Sequence, residues 1–109
     1  LPIYCAYLLI RGLKTFPLRM ARANASALKL AQFLDKHPAA QQCFYPGLPS
    51  HPQHKLAKRQ MTGFGGVVSF WIDAPLGQVN KFLDSLELCL VGPSLGGVET
   101  LVYHPATTS

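Results

Sequence analysis

The residues best suited to chemistry stand near the end of this 109-residue chain, in the run Gly92-Pro93-Ser94-Leu95-Gly96-Gly97. A serine hydroxyl among glycines, on a loop just after an expected strand, can bring a side chain and bare backbone close to a ligand. The residue types alone leave two readings open there, a binding loop and a plain turn between strands. A second run, Gly63-Phe64-Gly65-Gly66, precedes a strand rather than a helix. Its amides therefore cannot make the phosphate cradle of a dinucleotide fold or P-loop, and a tight turn feeding an inner strand is expected. His51 and His54 flank Pro52, with no Cys, Asp or Glu close behind. They predict no metal site, and should shape the loop or start a helix. Ser94, His104 and Asp73 supply the residue types of a hydrolytic triad, but no nucleophile elbow surrounds the serine, and the triad is rejected. Asp35 with Asp84, or Glu87 with Glu99, could be paired as acid and base. With only five acidic residues in the chain, such pairings carry almost no information.

The elements that must position these residues follow from periodicity. Met20, Ala23, Ala27, Leu30, Ala31 and Leu34 recur at steps of three and four, with Arg22, Lys29, Gln32 and Lys36 between them. That pattern predicts an amphipathic helix from about Tyr4 to His37, kinked or broken between Lys14 and Pro17 and closed by Pro38. Gln42–Tyr45 is a short predicted strand, Gln53–Gln60 a short helix, and Gly66–Ile72 the clearest strand, because Val67, Val68, Phe70, Trp71 and Ile72 are β-formers. Leu76–Leu86 carries one apolar stripe and reads as a helix, and Leu88–Val91 and Thr100–Tyr103 as strands on either side of the serine loop. The order implies an α+β fold, with helices over one face of a small mixed or antiparallel sheet. A leading helix of about 30 residues would span some 45 Å, long enough to bridge two domains.

Composition narrows the class. The chain is 49% hydrophobic and 14% charged, which argues against disorder. With positive mean hydropathy, part of its surface is expected to be covered by something else. The formal charge of +5 comes from ten Lys and Arg spread from Arg11 to Lys81, with no nucleic-acid module beside them; no nucleic-acid partner is expected. Cys5, Cys43 and Cys89 lack C-x-x-C spacing and fit buried thiols in a reducing compartment. The apolar stretch Leu1–Ile10 is too short for a membrane span, which needs about 20 residues, and it lacks the features of a signal peptide. The chain opens on Leu1 rather than Met and stops soon after an apolar run, so it is expected to be a piece of a longer protein.

Several stretches together resemble the Cys/Met-metabolism family of pyridoxal-phosphate (PLP) enzymes. Ala6-Tyr-Leu-Leu-Ile-Arg-Gly-Leu-Lys-Thr15 followed by Pro17-Leu-Arg-Met20 is similar to that family's interdomain helix. Tyr45-Pro-Gly-Leu-Pro-Ser-His-Pro-Gln-His54 with Leu56–Met61 resembles its next loop and helix, and Gly63-Phe-Gly-Gly-Val-Val-Ser-Phe70 its first small-domain strand. Ser94-Leu-Gly-Gly-Val-Glu99, then His104-Pro-Ala106, is similar to its active-site loop and the strand beyond. Within the family, Met61–Phe70 and Pro93 point to the γ-synthase branch, which replaces the γ-substituent of an activated homoserine with cysteine in transsulfuration and methionine biosynthesis. The cystathionine β- and γ-lyases, methionine γ-lyases and homoserine sulfhydrylases of the family are the alternatives, with a non-catalytic interaction module beside them. The chain departs from the family pattern at Trp71, where a carboxylate is usual, at Tyr103, and in Thr107-Thr108-Ser109.

The resemblance implies the type I, aspartate-aminotransferase-like fold, with residues 1–37 as the interdomain helix region, 38–109 as a partial C-terminal small domain, and the large PLP-binding domain outside the chain. It implies PLP as cofactor, joined to a lysine upstream and acting as an electron sink. No catalytic residue would then lie here, since Lys14, Lys29, Lys36, Lys55, Lys58 and Lys81 all fall outside the family's lysine motif. Ser94, Leu95 and Gly96 would bind substrate, with the Ser94 hydroxyl beside the lysine and the substrate carboxylate. The implied partners are amino-acid substrates and the large domain, in a homotetrameric parent. No membrane partner is implied, and the compartment is the cytoplasm, or the plastid if the source is a plant.

Overall fold

The computed structural model describes residues 1–108, and Ser109 lies outside them. Two compact units are present, Leu1–Ile72 and the residues from Asp73 on.

The first unit begins with two helices where periodicity alone would allow one, α1 (Ile3–Leu13) and α2 (Phe16–Leu34). The predicted break falls at Lys14–Thr15 for a local reason. In a continuous helix Pro17 would have to donate to the Leu13 carbonyl; it has no N–H, and its ring would press on that carbonyl. Placed in the first turn of α2, the same proline costs nothing, because N–H groups there have no helical partner anyway. Ala27, Ala31 and Leu34 are buried on α2, whereas Leu30 remains 45% exposed. The inward face is rotated toward Leu28, which packs against the core cluster, and this leaves Leu30 on the outer flank. No residue of α1 is buried.

After α2 the chain turns at Pro38 into β1 (Ala40–Phe44), which pairs antiparallel with β2 (Ser69–Ile72); Cys43 faces Phe70 and Phe44 faces Ser69. Ala27, Ala31, Leu34, Cys43, Tyr45 and Leu48 form one core between α2 and β1, flanked by Phe64, Val68 and Phe70. Tyr45 is fully enclosed. Between the strands, the stiff loop Pro46–Gln53 folds by consecutive turns, Leu48 N–H to Tyr45 C=O, His51 N–H to Leu48 C=O and His54 N–H to His51 C=O. It leads into α3 (His54–Gln60). As expected of loop-shaping histidines, the His54 Nδ1–H donates to Pro46 C=O at 2.8 Å, and His51 Nδ1 accepts the Gln53 N–H at 3.2 Å.

The second unit opens with α4 (Leu76–Asp84), two residues shorter than the expected helix to Leu86; its Leu83 is buried, Val79 is half-buried, and so is Leu86 just beyond its end. Its end is closed by Ser85, whose N–H reaches Lys81 C=O and whose hydroxyl donates to Phe82 C=O at 2.7 Å. Two short strands follow, β3 (Leu90–Val91) and β4 (Leu101–Val102), paired parallel through Leu90 N–H to Thr100 C=O and Gly92 N–H to Val102 C=O. A last helical turn, α5 (Pro105–Thr108), was not expected from sequence. Its cue is Pro105 in the first helical position, with the Thr107 N–H bonded back to His104 C=O.

The α+β class holds, but the single sheet does not. Among the described residues the strands form two separate two-stranded ladders, β1–β2 and β3–β4. The expected strand from Gly66 is also shorter, starting at Ser69, and β2 is an edge strand rather than an inner one. The cause lies in the glycine run before it. A Cβ at Gly63 would run into the Asn24 side chain, so this segment lies against α2 and can join a ladder only after clearing the helix.

Candidate functional site

The serine loop occupies residues 92–100, the whole connection between β3 and β4. Both ends are fixed by the ladder bonds at Leu90 and Gly92. Pro93 stiffens the exit from β3. Gly96 has φ +86°, a left-handed conformation that an L side chain resists. A Cβ on Gly97 would meet the Glu99 carboxylate. The loop therefore turns back sharply after Leu95 and presents Ser94, Leu95 and Gly96 together. All three are exposed, Leu95 to 80%, and Val98 beyond them to 84%. An apolar side chain so bare beside an exposed hydroxyl puts a polar and a greasy contact on one loop.

His104 pairs its Nδ1 with Thr107 Oγ1 at 2.9 Å, serving the start of α5. Among the described residues no group of three His, Cys, Asp or Glu is disposed to hold a metal. The depression lined by Pro46, His51, Gln53, Leu56, Ala57, Gln60 and Met61 has a volume of about 140 Å³, is edged by α3, and contains no lysine or carboxylate.

A PLP cradle cannot be assembled from the residues present. All six lysines are exposed, on the turn after α1 (Lys14), on α2 (Lys29), just beyond it (Lys36), on α3 (Lys55, Lys58) and on α4 (Lys81). None has the enclosure that would hold a cofactor's aromatic ring. The described residues offer an exposed serine–leucine–glycine loop and no enclosed lysine.

Two side chains that sequence reasoning passed over prove to be positioning groups. The Gly65 N–H donates to Asn24 Oδ1 at 2.8 Å, and the Tyr45 hydroxyl donates to the Gly65 C=O at 2.9 Å. The two peptides that flank the Gly65 Cα are thus each held, one by its N–H and the other by its C=O, and Gly65 has φ +90°. The available signal was a polar Asn24 beside Ala23 and Ala27 on the apolar face of a helix, where a buried amide needs a partner.

The family model described as Cys/Met metabolism PLP-dependent enzyme matches residues 2–109. The chloroplastic cystathionine γ-synthase 1 of Arabidopsis thaliana is 54% identical over 104 residues, 95% of this chain and 18% of that protein. The cystathionine γ-lyase of Sus scrofa is 50% identical over 105 residues, 96% of this chain and 26% of that protein. Among solved structures, cystathionine γ-synthase from Xanthomonas oryzae pv. oryzae, in complex with aminoacrylate and cysteine, superposes with a TM-score of 0.89 at 41% identity, covering 94% of this chain and 27% of that one. The chain spans about a quarter or less of the length of these relatives, and its fold is that of the matching part of a type I PLP enzyme.

Proposed function

Because the chain belongs to the Cys/Met metabolism PLP-dependent enzyme family, we propose that it is the substrate-facing small-domain portion of a γ-synthase, replacing the γ-substituent of an activated homoserine with cysteine. Residues 1–37 are then the helical connection between domains, and 38–109 belong to the small domain. A large domain, supplying the lysine that holds PLP, precedes them in the protein and covers α1. The observation that carries this reading is the 54% identity to a cystathionine γ-synthase sustained along 95% of the chain. The solved relative's complex with cysteine and aminoacrylate supports amino-acid substrates.

Within this reading the chain's own contribution is binding and orientation. The Ser94 hydroxyl donates to the substrate carboxylate, Leu95 packs against its carbon chain, and Gly96 lets the backbone come close. A hydrogen bond to a charged group contributes roughly 1.5–3 kcal/mol, so Ser94→Ala should lower kcat/KM about tenfold or more. The family is one of PLP-dependent enzymes. We place the enzyme in the cytoplasm, or in the plastid of a plant, as a homotetramer. Among the described residues no helix is long and apolar enough to cross a membrane.

The test is to express the complete reading frame and supply activated homoserine with cysteine. Cystathionine formation supports the proposal. Cleavage of cystathionine without any synthesis favours the lyase reading, for which the 50% identity to a γ-lyase speaks. An open reading frame with no lysine-bearing domain upstream would overturn both.

A further inference from the structure

The two helices of the first unit are tied to it very differently. α2 enters the core through Ala27, Ala31 and Leu34, and Asn24 fastens it to the N–H of Gly65, whose C=O Tyr45 grips. α1 has no buried residue. It meets α2 at Lys14–Thr15, where the Lys14 N–H bonds only three residues back, to Arg11 C=O at 3.3 Å. Across that junction lies Arg19. Its Nη2–H donates to Gly12 C=O at 2.8 Å, at the end of α1. Its Nε–H donates to the hydroxyl of Thr15, the cap residue of α2, at 3.1 Å. Its guanidinium carbon stands 5.8 Å from the Phe16 ring centroid.

We infer that the α1–α2 junction is a braced elbow: α2 packs on β1 and is bolted at Gly65 to the loop that leads into β2, and Arg19 sets the direction of α1 by bonding both sides of the break. A guanidinium suits this task because its planar fork serves two acceptors at once from a fixed geometry. The Gly12 carbonyl is one of the acceptors that a helix end leaves without an intrahelical partner. Satisfying it from the next helix converts a loose end into a fixed angle. Motion of α1 is therefore governed at Lys14–Thr15 and by Arg19, and α2 moves with the ladder.

Hydrogen–deuterium exchange of the full protein tests this residue by residue. In Arg19→Ala, the amides of Lys14 and residue 19, bonded to Arg11 C=O and Thr15 C=O, should exchange about five- to tenfold faster, the loss expected for exposed charge-assisted hydrogen bonds. The amide of Asp35, bonded to Ala31 C=O, should keep its protection. Arg19→Lys preserves the charge but not the fork, and should lose protection at the same two amides and nowhere else. In Asn24→Ala the rise should appear around Gly65 and leave Lys14 and Arg19 untouched. Unchanged exchange at Lys14 and residue 19 in both Arg19 variants would overturn the brace. Acceleration spread evenly through α2 to Asp35 would overturn the elbow, since the two helices would then open as one.

Discussion

Gly65 and Gly96 adopt nearly the same left-handed backbone, with φ of 90° and 86°, and a Cβ would meet nothing at either. Each lies in a glycine-rich turn beside a short strand, yet their surroundings are opposite. The N–H of Gly65 is gripped by Asn24 and its C=O by Tyr45, and the loop lies along α2 over a closed core. Around Gly96, Ser94, Leu95 and Val98 stand exposed in a unit where Leu83 is the buried hydrophobic residue among those described. The same backbone turn thus serves as a fastening in the first unit and as a presentation surface in the second. A turn becomes a site when its side chains are left out of the protein's own packing.

Removing the fastening should have the largest effect. Tyr45→Ala deletes the fully buried ring and the hydroxyl bonded to Gly65; by analogy with other aromatic-to-alanine core changes it should cost about 3–5 kcal/mol, read by urea denaturation. Next comes a paired test of the turns. Gly65→Ala forces an L side chain into a left-handed backbone, at a cost of about 1–2 kcal/mol, and should lower the global unfolding midpoint, because its loop is part of the core. Gly96→Ala carries the same local strain in a unit with far less packing, so the global midpoint should move less. Equal shifts of the midpoint would dissolve the contrast between the two turns.

A smaller effect sharpens the picture of the first unit. Burial pushes the Cys43 thiol above its ordinary value of 9.0, with the Asp35 charge adding to it, and burial likewise raises the Tyr45 phenol above 10.0. Both groups hold their proton more tightly folded than unfolded, so the unfolded chain loses protons first as pH rises. Their contribution is complete below pH 9.0, and is lost as the pH climbs through the raised values. Melting temperature should therefore fall on the alkaline side, and Cys43→Ala, though less stable throughout, should begin its decline at higher pH. A thiol titration should find Cys5, which is exposed, reacting well before buried Cys43.

The sequence made the first unit largely legible. Steps of three and four marked Ala27, Ala31 and Leu34, and Pro17 marked the break, since these signals act within a turn or two of the residue that carries them. Tertiary pairing was not legible. That Asn24 would meet Gly65 across 41 positions, or that the strands would form two ladders rather than one sheet, depends on which surfaces meet, and no periodicity records that. The site stood between these cases. Ser94, Leu95 and Gly96 were nameable as a suggestive loop from residue type, and the family resemblance gave them a role. Their exposure came only from the structure.

That exposure makes the last prediction the most discriminating, although its thermodynamic size is the smallest. Ser94 is exposed on the loop between β3 and β4, and replacing an exposed side chain away from caps and cores changes stability by no more than about 0.5 kcal/mol. Ser94→Ala should therefore melt with the parent chain while costing the complete enzyme its affinity for the substrate carboxylate, seen as a raised KM. Tyr45→Phe is the reciprocal control. Its lost hydroxyl strands the Gly65 carbonyl and should lower stability by roughly 1–3 kcal/mol while KM stays put. If Ser94→Ala destabilised the fold and left KM alone, the serine would be fastening its own turn, and the two glycine loops would be doing the same job.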